Sequence, residues 1–230
     1  MGDRIEFPDG GFAFLKGAFA RSQGVVALPG YAIERARLRK PLPLKEGFAF
    51  IARHLKSIGR PLTAFCACEL RSPEAFGVKA YAEFDEGYGA VLRDWKLVRD
   101  GASPVARTLV VPADGAPQEP CFHAFSYTLR PGDGRAGFVV SASGEWPSSG
   151  PFPDARAALD TIDARLRGLG VRWADATVAQ VYTAGRFEMA EVGRRVAPAT
   201  VAWHWCRPAI EGLAFEMDAR GLSVERVLGA

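Results

Sequence analysis

Residues 54–70 read HLKSIGRPLTAFCACEL and residues 165–181 read RLRGLGVRWADATVAQV. Laid over each other without a gap, they bring Gly59 onto Gly170. In each, apolar residues at helical spacing run into a glycine, the residue that most readily ends a helix, and a strand-like apolar run follows. A helix–glycine–strand unit that occurs twice predicts two copies of one small α/β module. Few residues are identical between the copies, so the repeat speaks to shared architecture more than to shared function.

Working outward, Phe48, Phe50, Ile51, Leu55 and Ile58 predict a helix over 44–58. Before it, glycines at 17, 24 and 30 punctuate two or three strands between residues 11 and 39. After it come a buried strand over 62–70, a helix from Ser72-Pro73-Glu74 to about Trp95, and a strand over 106–111. The stretch 112–120, with Pro112, Asp114-Gly115 and Pro120, reads as a linker. The modules are therefore 1–112 and 121–230, joined by 113–120. In the second, strands at 122–129 and 137–143 read as a hairpin around Pro131-Gly-Asp-Gly. Asp154 caps a helix over 155–169, a helix lies near 187–195, and strands follow at 176–182, 201–206 and 213–219.

The chain has 230 residues, 48% of them hydrophobic, enough to bury one large core or two small ones. Its 29 Lys and Arg against 26 Asp and Glu give +3, scattered along the chain, so charge does not imply nucleic acid. The first residues lack a signal-like apolar segment, and no stretch approaches the roughly 18 apolar residues that span a bilayer. A cytoplasmic protein with no membrane partner is expected. Cys66, Cys68, Cys121 and Cys206 fit neither a disulfide framework nor paired Cys-x-x-Cys zinc spacing, and His54 and His123 have no acidic or cysteine partner at ligand spacing. No metal site is expected. Cys66 and Cys68 share one face of a strand, suited to a sheet–helix interface.

Several segments resemble the RidA/YjgF family. Phe138-Val-Val-Ser-Ala-Ser-Gly-Glu-Trp-Pro is similar to its strand ending in Ser-Gly-Gln-x-Pro, Pro104-Val-Ala-Arg-Thr-Leu-Val-Val to its Pro-x-Arg-x-x-Val segment, and Ala214-Phe-Glu-Met-Asp to its Ile-Glu-Ile-Glu ending. Together these short motifs cover nearly the whole chain. The long form with a diverged first half resembles RidA-like proteins linked to 2-aminomuconate-type deamination and, more distantly, chorismatases. The resemblance implies an α/β (α+β) fold of two tandem chorismate-mutase-like modules, each a mixed sheet with helices on one face. It also implies a threefold assembly with clefts between modules, which three two-module chains would satisfy as a homotrimer.

The same resemblance nominates residues. Arg107 matches the arginine that grips a substrate carboxylate, a task suited to a planar fork of donors. Glu216 matches a glutamate that orients or deprotonates water. Ser143, Gly144 and Glu145 match the cleft motif, where a hydroxyl and a backbone N–H bind a carboxylate or carbonyl oxygen. Leu109 stands where the family often has cysteine, and the second half has Ala199 or Thr200 near the arginine's place, so each module would supply only part of a site. Independently, alternation in Val201-Ala-Trp-His-Trp-Cys puts Trp203 and Trp205 on one face and His204 with Cys206 on the other, a possible base and nucleophile or plain packing. The implied activity is cofactor-free hydrolysis of an enamine or imine bearing a carboxylate (2-aminoacrylate or 2-aminomuconate type) to a 2-oxo acid and ammonia. A chorismatase-like hydrolase and a noncatalytic carboxylate-binding protein are the alternatives.

Overall fold

The computed structural model describes residues 3–17, 21–99, 101–132, 134–145, 155–186 and 189–229, with the side chain of Glu145 outside the description. It is an α+β structure of two mixed sheets and four helices. One sheet contains β1 (Arg4–Phe7), β2 (Phe12–Leu15), β3 (Gly24–Ala27), β8 (Phe138–Glu145), β9 (Val178–Tyr182), β10 (Thr200–His204) and β12 (Leu213–Gly221), in the order β1-β2-β3-β8-β12-β9-β10. The other contains β4 (Ala32–Pro43), β5 (Phe65–Arg71), β6 (Ala106–Pro112), β7 (Cys121–Leu129), β11 (Cys206–Pro208) and β13 (Val224–Leu228), in the order β11-β6-β5-β7-β4-β13.

The helices are α1 (Leu44–Ser57), α2 (Val78–Asp94), α3 (Ala155–Leu169) and α4 (Met189–Val196). In α1 the buried Phe48, Ile51 and Leu55 recur at helical spacing and pack on the second sheet. In α3 the buried Leu159, Ile162, Leu166 and Leu169 do the same on the first. Both helices stop alike. Gly59 and Gly170 take φ of 68° and 78°, and the next N–H reaches back five residues, Arg60 to Leu55 O and Val171 to Leu166 O. A side chain disfavours that left-handed conformation, which is why glycine holds both positions. A single 3₁₀ turn then leads into β5 in one case and β9 in the other.

The linker stretch 113–120 joins β6 to β7 within one sheet, and each sheet draws strands from both sides of it. β1 to β3 extend the sheet built around β8, whereas β11 and β13 extend the sheet built around β5.

Three local expectations are corrected. The strands at 122–129 and 137–143 are not a hairpin, because β7 pairs with β4 and β5 while β8 pairs with β3 and β12. Phe122 and Phe125 are committed to the core under α1, and Phe138 and Val140 to the core under α3. The strand at 201–206 divides at Trp205, with β10 on β9 and β11 on β6. The helix after Ser72 begins only at Val78, since the Phe76 N–H is held by Ala209 O at 2.8 Å. Asp154, Phe187 and the turn residue Asp133 lie outside the described residues. Among the described residues no helix is long and apolar enough to cross a membrane.

The inner faces of the two sheets meet through charge. Arg35 donates to both Glu69 oxygens at 2.6 and 2.8 Å, Arg220 donates to Glu69 Oε1 at 2.6 Å and to Asp218 Oδ2 at 2.7 Å, and Tyr182 Oη donates to Asp218 Oδ2 at 3.0 Å. Burial alone would raise the Glu69 carboxyl, but the guanidiniums of Arg220, Arg35 and Arg71 pull it well below the usual carboxylate range. Removing one partner of a buried ion pair leaves an uncompensated charge, which costs roughly 3–5 kcal/mol. Arg220→Met is expected to lose stability on that scale in urea unfolding; a loss below about 1 kcal/mol would show that the layer does not hold the sheets together.

Candidate active site

A cavity of about 160 Å³ opens beside β12 and β8. The β3 ladder on β8 ends at Gly24 opposite Val140, so Ser141, Ala142 and Ser143 border the cavity instead of pairing with β3. The chain returning toward β3 closes one side. There the Ser22 N–H bonds Val105 O at 2.9 Å, which brings Arg21, Ser22 and Gln23 to the cavity wall. From α3, Arg165 completes the lining.

Glu216 is at the centre of this arrangement. Phe215 and Met217 enter the core under α3, so alternation turns Glu216 to the inner face of β12, level with Ser143 on β8 and Tyr182 on β9. It is buried, and that burial pushes its carboxyl up to about 8. The negative charge of Asp218 adds to the rise, while Arg21, a hydrogen bond from the Leu109 backbone and Arg71 oppose it.

Arg107 borders the same cavity, with its side chain fully buried. Its Nη2 donates to Tyr81 Oη at 2.8 Å and pairs with Asp85, and the rings of Phe84 and Tyr88 lie 5.1 and 4.7 Å from its guanidinium carbon. Its Nε and Nη1 have no hydrogen-bond partner among the described residues, and the same holds for Ser22 Oγ and Arg165 Nε. Buried polar atoms are nearly always satisfied. Four buried polar atoms on three residues that border this cavity are thus left unsatisfied among the described residues.

The nominated residues thus separate. Arg107, Ser143 and Glu216 border the cavity, whereas Gly144 does not, and the side chain of Glu145 lies outside the described residues. Gly144 faces Phe215 in the ladder. His204 stacks on Tyr182 at 4.9 Å between centroids, with Nε2 2.7 Å from the Gln180 amide. Cys206 lies on the other sheet against Val110 and Tyr182, and burial pushes its thiol up. The division of the chain at Trp205 is what takes these two residues onto different sheets. Trp203 and Trp205 remain neighbours on the surface, 5.5 Å between ring centroids. All four cysteines are free and buried, and Cys68 Sγ meets Tyr88 Oη of α2 at 3.2 Å. Among the described residues no group of three or more His, Cys, Asp or Glu is placed to hold a metal. The sequence reading missed Arg21 and Arg165 as site residues; Arg165 stood in the repeated segment, but helical spacing marks the buried stripe and says nothing of a cation at its margin.

Cationic groups and a carboxyl that exchanges its proton near neutrality, gathered around one small cavity, make an acid–base site for an anionic small molecule. Comparison with known proteins is specific about the family. Residues 4–226 match the 2-aminomuconate deaminase CnbZ family, and the chain belongs to it. It is 37% identical to the 2-amino-5-chloromuconate deaminase of Comamonas testosteroni over 251 aligned positions, covering 99% of this chain and all of that protein. Deaminases act on C–N bonds, so the muconate-type part of the expectation agrees with the family. A solved chorismatase aligns with TM-score 0.48 and 16% identity over 94% of this chain and 78% of its own, a likeness too weak to bear on substrate.

A carboxyl raised from 4.5 to about 8 is protonated in the folded chain and ionised in the unfolded one between those values. The stability associated with it is fully present below the lower value and is lost as pH rises through the upper one. Glu216→Gln cannot ionise. Its stability relative to wild type is therefore expected to rise by on the order of 4 kcal/mol between about pH 5 and about pH 9. Parallel unfolding curves across that range would place the raised carboxyl elsewhere.

Proposed function

We propose that this chain hydrolyses a 2-aminomuconate-type enamine to the 2-oxo acid and ammonia in the cavity around Glu216. The observation that carries this reading is a buried carboxyl, held protonated at neutral pH, in one cavity with guanidinium groups. The carboxylate beside the reacting carbon lies against Arg21, the cation that neighbours Glu216. Arg107, fully buried and held by Asp85 and Tyr81, borders the cavity as a fixed cation.

Glu216 begins as an acid. It delivers its proton to a carbon of the conjugated enamine, and the electron pair of the amino nitrogen becomes the C=N bond of an imine. Its carboxylate then takes a proton from water as the water oxygen bonds to the imine carbon. The same proton passes to nitrogen, the C–N bond breaks with its electrons on nitrogen, and the hydroxyl proton returns to Glu216 as C=O forms and ammonia leaves. One water is consumed and no electrons are exchanged with a second reactant. The substrate is already activated, so orientation and proton placement supply the catalysis, as in the RidA-type reaction.

The test is ammonia release from 2-aminomuconate followed against pH. Activity is expected to fall as pH rises through about 8, where the acid form is lost, and Glu216→Gln is expected to lower kcat by about 10²- to 10⁴-fold while the fold persists. Full activity in the variant would remove Glu216 from the chemistry.

A further inference from the structure

We propose that Arg165 forms a second carboxylate subsite, on the α3 side of the cavity, and that it makes the enzyme select dicarboxylates over monocarboxylates. The inference rests on the reading of this cavity as the deaminase site and adds to it the residue that sets substrate class. Arg165 is on α3, beside the buried Leu166 that anchors the helix to its sheet, and it borders the cavity from the helix side. Its Nε is shielded from solvent and has no partner among the described residues.

The charges in the cavity carry the inference further. Among the described residues three arginines border it, Arg21, Arg107 and Arg165. Asp85 neutralises Arg107. Glu216 enters the reaction as the neutral acid, which leaves two cations facing one small space. A monoanion would compensate one of them and a dianion both. Burial and the neighbouring Arg21 pull the Arg165 guanidinium down to about 10, against the opposing pull of Glu216. Arg21 approaches from the segment before β3 and Arg165 from α3, so two carboxylates of one substrate can each meet a separate guanidinium.

Muconate and sorbate test this directly, because they share a six-carbon diene and differ by one carboxylate, and neither carries the amino group that reacts. Titration calorimetry at neutral pH is expected to show wild type binding muconate about 10- to 100-fold more tightly than sorbate, the range of a charge-assisted hydrogen bond. Arg165→Met is expected to lose that preference while sorbate affinity stays within about twofold, and Arg165→Lys, which keeps the charge and tolerates the same packing, to retain part of it. Equal binding of both ligands by wild type, or an equal loss for both in Arg165→Met, overturns the subsite and leaves the deaminase reading standing. If wild type binds neither ligand yet releases ammonia from 2-aminomuconate, the subsite is likewise overturned; if it does neither, the deaminase reading falls and the subsite with it.

Discussion

The carboxylate of Glu69 is buried between Arg35 and Arg220, one from each sheet, and the rest of the molecule is arranged around that contact. It makes the inner faces of the sheets polar and leaves the outer faces for the helices. β5 shows the rule in one strand: Cys66, Cys68 and Leu70 are buried in the core, with Cys68 against α2, while Glu69 meets the opposite sheet. β12 shows it again, with Phe215, Met217 and Ala219 under α3 and Glu216, Asp218 and Arg220 turned inward. A buried ion network is weak evidence for net stability, since hydrophobic residues of the same shape often do as well. What it does impose is register, because each guanidinium meets its carboxylates only when the strands are correctly paired.

That register also produces the site. Glu216 lies two residues before Asp218 on the same face, where the charged layer gives way to the cavity. Asp218 is satisfied by Arg220, Tyr182 and Thr108 and stays in the layer. Glu216 has less compensation and feels Asp218 as a like charge, so its proton is retained. One β-strand thereby carries a structural carboxylate and a proton-exchanging one, separated by a single pleat. The environment, not the residue type, decides which is which.

Much of the local structure was legible. The helix over 155–169 and its glycine stop were readable because amphipathic periodicity and a left-handed glycine are local properties, and the same is true of α1. Glu216 and Ser143 were singled out from short motifs, and the ladder sets them side by side. Gly144 and Glu145 were carried along by the same motif, but Gly144 packs opposite Phe215 and the Glu145 side chain lies outside the described residues. His204 and Cys206 were paired by alternation along a strand that in fact changes sheets at Trp205.

By itself the sequence determined that helices lie over 44–58 and 155–169 and stop at a glycine, which strand residues are apolar, and that two helix–glycine–strand units occur. All of these are written in periodicities of two and 3.6 and in the backbone freedom of glycine. Only the tertiary structure decided which sheet each strand joins, because alternation records that a face is buried and not what buries it. The same holds for the site: Arg21, Arg107, Arg165 and Glu216 are far apart in the chain and on four different segments, and only strand pairing brings them around one cavity, where burial raises the one carboxyl whose proton can be used.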